Sequence, residues 1–136
     1  MALTQGISPI RRGTPESRGQ FGYPLTAGEK VWRGSLVGLT AAFTLQRIQT
    51  AGCVAFAGMA EQTYDNSASA SPSAQRIVAL KGTYGLTVPG VAGASVNAPV
   101  YATDDNTLTL INSGSLLQAG ILAGVENSQT FVKLVG

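Results

Sequence analysis

Beyond residue 24, apolar residues recur with a period of two in short runs, each broken by glycine, proline or a cluster of Asn, Asp and Ser. That rhythm predicts strands and turns, because alternate residues of a strand share a face. The densest run is Gly52-Cys53-Val54-Ala55-Phe56-Ala57-Gly58-Met59-Ala60. Val54, Phe56 and Gly58 would line one face and Cys53, Ala55 and Ala57 the other. All are apolar or small, so the run reads as a strand covered on both sides. Alanine and methionine also favour helix, but Gly52 and Gly58 bracket only five residues, too few for a stable helix.

The flanking sequence continues in the same way. Lys30-Val31-Trp32-Arg33-Gly34 alternates around a bend, and Ser35-Leu36-Val37-Gly38-Leu39 reads as a strand. Thr40-Ala41-Ala42 turns, and Phe43-Thr44-Leu45-Gln46-Arg47-Ile48 returns with Phe43 and Leu45 on one face. Trp32 is expected to anchor the core. Asp65 to Ser73 is a small, polar, low-complexity loop. Residues 75–86 read as a strand pair or one long strand, bent at Gly82 and Gly85. Val100-Tyr101-Ala102, the turn Asp104-Asp105-Asn106 and Thr107-Leu108-Thr109-Leu110 form the clearest hairpin. Ile121 to Glu126 and Thr130 to Val135 close the sheet through a turn at Asn127-Ser128-Gln129.

The dense run has a counterpart in Gln118-Ala119-Gly120-Ile121-Leu122-Ala123-Gly124-Val125-Glu126-Asn127. Both carry Ala-Gly, a small apolar run, Ala-Gly again and an acid. Lys30-Val31-Trp32-Arg33 would then match Pro99-Val100-Tyr101-Ala102, and Phe43-Thr44-Leu45 would match Leu108-Thr109-Leu110. The chain therefore reads as a duplicated β unit.

Residues 1–24 differ. Gly6, Pro9, Gly13, Pro15, Gly19, Gly22 and Pro24 prevent regular structure and predict an extended arm, ordered only where something holds it. Ile7, Ile10, Phe21 and Tyr23 are its apolar anchors. Residues 25–136 form the body.

Composition narrows the function. The chain of 136 residues fits one domain, whose core would bury roughly 68% of the unfolded surface. Only 12% of residues are charged, against an ordinary share of about 25%, which suits a body that covers part of itself with a partner. The net charge of +2 gives no reason to expect nucleic-acid binding. Arg11, Arg12, Arg18, Lys30 and Arg33 place five of the nine basic residues in the first 33 positions. No window is long and apolar enough for a membrane helix, and the N-terminus lacks a signal-peptide core, so a soluble protein made in a cytoplasm is expected.

Catalytic chemistry finds little support. There is no histidine, which removes the usual general base and the His-containing triads. The one cysteine, Cys53, forms no intrachain disulfide and reads as a small core residue. Asp104-Asp105 lacks the ligand spacing of a calcium loop and reads as a turn. An acid-only hydrolase would have to use Glu61 and Glu126, which occupy matched places in the proposed halves. No metal or cofactor is expected.

A series of landmarks resembles the phage head-decoration, or capsid cement, proteins. They are Tyr23-Pro24, Ala27-Gly28 and Val31-Trp32-Arg33-Gly34-Ser35-Leu36-Val37, then Gly58-Met59-Ala60-Glu61 and Asp65-Asn66-Ser67. Pro99-Val100-Tyr101-Ala102-Thr103-Asp104-Asp105, Gly120-Ile121-Leu122-Ala123-Gly124-Val125 and Phe131-Val132-Lys133-Leu134 complete the series. The resemblance implies a non-enzymatic protein on the capsid exterior of the virion, often a homotrimer, that binds the major capsid protein and locks neighbouring shell subunits.

The expectation is thus an all-β protein, a small barrel or sandwich of about 8–10 short strands with pseudo-repeated halves and an extended N-terminal arm. Ile10, Arg11, Arg12, Arg18, Phe21 and Tyr23 are the candidate capsid-binding residues, with the three arginines meeting acidic surface. The alternative is a tail or baseplate β module that binds host-surface glycans.

Overall fold

A computed structural model describes residues 2–9, 11–12 (backbone only) and 21–134. Among these the chain is all-β, with thirteen strands, several only two residues long, which is why they outnumber the runs legible in the sequence. The strands are β1 (Arg11–Arg12), β2 (Gly22–Pro24), β3 (Lys30–Val31), β4 (Leu36–Leu39), β5 (Leu45–Arg47), β6 (Ala55–Ala60) and β7 (Tyr64–Asp65). They continue as β8 (Arg76–Leu80), β9 (Gly82–Gly85), β10 (Pro99–Ala102), β11 (Leu108–Thr109), β12 (Leu117–Glu126) and β13 (Gln129–Leu134). A curled six-stranded sheet runs β1-β9-β13-β12-β10-β11, a five-stranded sheet runs β2-β8-β6-β4-β5, and β3 pairs with β7.

The duplication is real, and its register differs from the one the motif suggests. Both large sheets contain the same four-strand unit, β5-β4-β6-β8 in one and β11-β10-β12-β13 in the other. Each unit opens with a matching turn, in which the Thr40 N–H donates to the Thr44 carbonyl at 3.0 Å and the Thr103 N–H to that of Thr107 at 3.0 Å. Val37 faces Gly58 and Gly38 faces Phe56, which leaves Ala57 as an extra residue. Val100 faces Gly120 and Tyr101 faces Gln118, leaving Ala119 extra in the same way. Ala57-Gly58 therefore corresponds to Ala119-Gly120, not to Ala123-Gly124. Likewise β10 corresponds to β4, not to residues 30–33. The return strands do correspond, but two residues out of the expected step, with Leu45 matching Leu108 and Gln46 matching Thr109.

Both glycines are required by close approach. A Cβ on Gly58 would lie 2.5 Å from the Leu80 carbonyl oxygen, and one on Gly120 would lie 2.1 Å from that of Lys133. Leu80 and Lys133 are themselves matched, pairing with Met59 and Ile121. Ala123-Gly124 marks a further bulge, between Leu122 and Gly124, where a Cβ would meet nothing within 4 Å. Bulges bend a strand and sharpen its twist, here curling each sheet at the same place.

The two cores follow the repeat. Val37, Leu45, Ala57, Ala60 and Ala79 form one cluster, and their counterparts Val100, Leu108, Ala119, Leu122 and Val132 belong to the other. The first core is covered by Leu25 and Val31. The second is covered by the opposite face of the first repeat, through Leu36, Phe56 and Met59. The residues matching these three, Pro99, Gln118 and Ile121, are exposed. The layers thus stack in one direction and end on a solvent-exposed face.

Other expectations change locally. The dense run is covered on both faces only from Phe56 onward, for Val54 is 61% exposed. Phe43 lies in the turn with φ 60° and is 66% exposed, so it does not share the buried face of Leu45. Trp32 is half-buried outside both cores, with the Lys30 ammonium 4.1 Å from its ring centroid. The Ser-rich loop is pinned by buried Asn66, whose Nδ2 donates to the carbonyls of Thr26 at 3.1 Å and Ser71 at 3.0 Å. Residues 75–86 are two strands of different sheets, and Gly82, at φ 120°, lies where the chain crosses between them.

The N-terminal segment is held by its own body. Leu3 is buried, and its N–H donates to Oδ1 of Asp105 at 3.0 Å. The Ile7 N–H donates to the Arg33 carbonyl at 2.8 Å. Ile7 also fills the space above Gly34, where a Cβ would lie 2.4 Å from its Cγ1.

Candidate partner-binding surface

Strand β2 leads the N-terminal segment into the body and lies at the edge of the five-stranded sheet, with Gly22, Tyr23 and Pro24 opposite Val78, Ile77 and Arg76. Phe21 and Tyr23 are two apart and so project from one face. Their rings stand 6.4 Å apart at 43°. Tyr23 packs against the first core, whereas Phe21 is 62% exposed. Together they help line an open cavity of about 210 Å³, with Leu39, Ala55, Phe56, Ala57, Ala79 and Lys81.

More apolar surface lies at the same end of the sheet. The Val54 N–H donates to the Leu39 carbonyl at 2.8 Å, and the Phe43 N–H donates to that of Thr40 at 3.0 Å. Both exposed side chains therefore flank the strand end that carries Leu39. Phe21, Phe43 and Val54 are among the most exposed large apolar residues of the described chain. A large apolar patch is the kind of feature that marks an interaction site.

The edge itself is poorly suited to accept another strand. Pro24 has no N–H to offer, and Arg76 Nη1 already donates to the Gly22 carbonyl at 3.1 Å.

Of the expected binding residues, the structure brings Phe21 and Tyr23 together. Arg11 and Arg12 form β1, paired with Tyr84 and Thr83 of β9, in the other large sheet. Ile10 and Arg18 lie outside the described residues. Leu39, Val54, Ala55 and Lys81 were not singled out from the sequence. An apolar β-end residue such as Val54 has no local mark that distinguishes it from core.

Elsewhere the polar groups are structural in their contacts. Buried Glu29 accepts from Arg47 Nη2 at 3.0 Å, the Arg47 N–H at 3.1 Å and the Thr50 hydroxyl at 2.7 Å. Asp105 is fully buried and accepts from Leu3 and, through Oδ2, from the Ser35 hydroxyl at 3.1 Å. Glu61 and Glu126 are not matched, because the pairing register places Ala123 opposite Glu61 in the repeat. Glu61 accepts the Val78 N–H at 3.3 Å, whereas Glu126 pairs with Gln129 beside the closing turn. Burial pushes the Cys53 thiol above its ordinary pKa, against hydrogen bonding from Gln46.

Among the described residues no group of three or more His, Cys, Asp or Glu is placed to hold a metal ion, and no helix is long and apolar enough to cross a membrane. No protein-family model, curated protein or solved structure matches the chain.

Proposed function

We propose that this protein is a non-catalytic phage head-decoration protein that binds the outside of the capsid shell and secures contacts between major capsid proteins. The observation that carries the reading is the exposed apolar surface of the first repeat, where Phe21, Phe43 and Val54 are each more than 60% exposed and Phe21 walls an open cavity. Exposing these side chains on a body with two well-formed cores costs solubility, and covering them on a partner removes that cost. The low charged share, 12%, favours the same use. The sequence resemblance names the partner as the shell and adds self-association as a homotrimer.

The test is co-sedimentation with expanded, genome-free head shells, followed by reconstruction of the decorated particle. Saturable retention with added density on the outer surface is the expected result, and Phe21→Ser with Val54→Ser is expected to reduce it at least tenfold. Retention on host-surface polysaccharide and none on shells would transfer the protein to the tail or baseplate class.

A further inference from the structure

The internal repeat shows what the cavity beside Phe21 is. In the second repeat Ala79 is replaced by Val132 and Ala60 by Leu122, so matched positions carry larger side chains there. The Leu39–Ala55 pair is swapped for Ala102–Leu117 and leaves the summed volume nearly unchanged. Of these positions Ala79 lines the cavity, where the smaller side chain leaves room between it and Phe21, Tyr23 and Leu39. At about 210 Å³ the space falls below the roughly 300–1,000 Å³ of small-molecule sites. It suits a single side chain. The blunted β2 edge argues against strand addition, which leaves insertion of a side chain as the mode of contact.

We propose that this cavity is a socket for one aliphatic or aromatic side chain of the shell subunit, carried on a segment with a carboxylate beside it. The inference rests on the decoration reading above. Apart from Lys81 the lining is Phe21, Tyr23, Leu39, Phe56 and three alanines, so the inserted group is apolar. Lys81 is the charged residue of the lining, and it has no carboxylate partner among the described residues. It provides a cation within reach of a neighbouring acid on the incoming segment, and the low-dielectric wall strengthens that pair. A pocket that takes one buried anchor side chain is a usual make-up of a binding hot spot.

Ala55→Leu tests this directly. Ala55 is exposed and lines the cavity, so a leucine there has solvent-side room for its backbone position while the added atoms, opposite Leu39, enter the socket. Wild type, Ala55→Leu and Lys81→Glu are compared on the same head shells, with thermal unfolding of each free protein as a check on the fold. The socket predicts that Ala55→Leu keeps its melting temperature and loses at least tenfold in shell affinity. It also predicts that Lys81→Glu weakens binding more at low salt than at high salt. If wild type and Ala55→Leu bind shells equally, the socket is wrong while the decoration reading stands. If wild type itself does not bind shells, both fall.

Discussion

Ser35 and Asp105, 70 positions apart, meet at 3.1 Å where the Ser35 hydroxyl donates to a fully buried carboxylate oxygen. The same residue ties three parts of the chain together. Its other oxygen accepts from Leu3, its carbonyl accepts the Leu36 N–H at 2.8 Å, and its own N–H donates to Gln49 Oε1 at 3.0 Å. The turn of the second repeat is thereby fastened to the first repeat and to the N-terminal segment.

Asp105→Ala is expected to destabilise the protein by about 2–4 kcal/mol, because it strands buried donors from Leu3 and Ser35. Asp105→Asn keeps an acceptor and is expected to cost less than the alanine variant. Urea unfolding monitored by tryptophan fluorescence reads both, and equal midpoints for wild type and Asp105→Ala would show that the network carries no stability.

The glycine pair makes a sharper test of the repeat. Gly58→Ala and Gly120→Ala each drive a Cβ into the carbonyl of the adjacent strand, and a loss of about 2–4 kcal/mol is expected at either site. Gly58 also has φ 142°. Gly124→Ala, where a Cβ meets nothing within 4 Å, is expected to change stability by less than about 1 kcal/mol. Equal effects at Gly120 and Gly124 would refute the register of the repeat.

Deleting residues 2–20 has two effects to separate. It removes the Leu3 contact with Asp105 and the Ile7 contact with Gly34, so the melting temperature of the free protein should fall by several degrees. A Phe21→Ser variant of the full chain should bind shells weakly without that fall, since Phe21 is largely exposed. A deletion that melts like wild type would contradict the seating of the N-terminal segment on its own body.

Cys53 ties stability to alkaline pH. Burial raises its folded-state pKa, so the unfolded chain loses its thiol proton first, from about pH 8.5 upward. Below that range the contribution is fully present. It is lost as pH rises through the folded value. Wild type should therefore lose more stability than Cys53→Ala between pH 7 and pH 10, and folded protein should react slowly with thiol reagents at pH 8. Parallel stability curves for the two would argue against a shifted thiol.

Much of the fold was legible because it is local. Leu36–Leu39, the hairpin over Val100 to Thr109 and the closing Asn127-Ser128 turn, with φ 51° and 62°, follow from period-two patterning and turn chemistry within a few residues. The binding surface was half legible. Phe21 and Tyr23 stood out as aromatic residues in a Gly/Pro-rich segment, but Leu39, Ala55 and Lys81 join them only when β2, β8, β6 and β4 lie side by side.

The sequence alone determined the all-β class and pointed to two similar halves, since these show in short-range alternation and recurring Ala-Gly. The tertiary structure decided which Ala-Gly matches which, because pairing register is a property of two strands and not of one. It also decided that Trp32 and Phe43 lie outside the cores while Asp105 lies within the body. A residue's burial depends on the layer that covers it, and no run of neighbours in the chain specifies that layer.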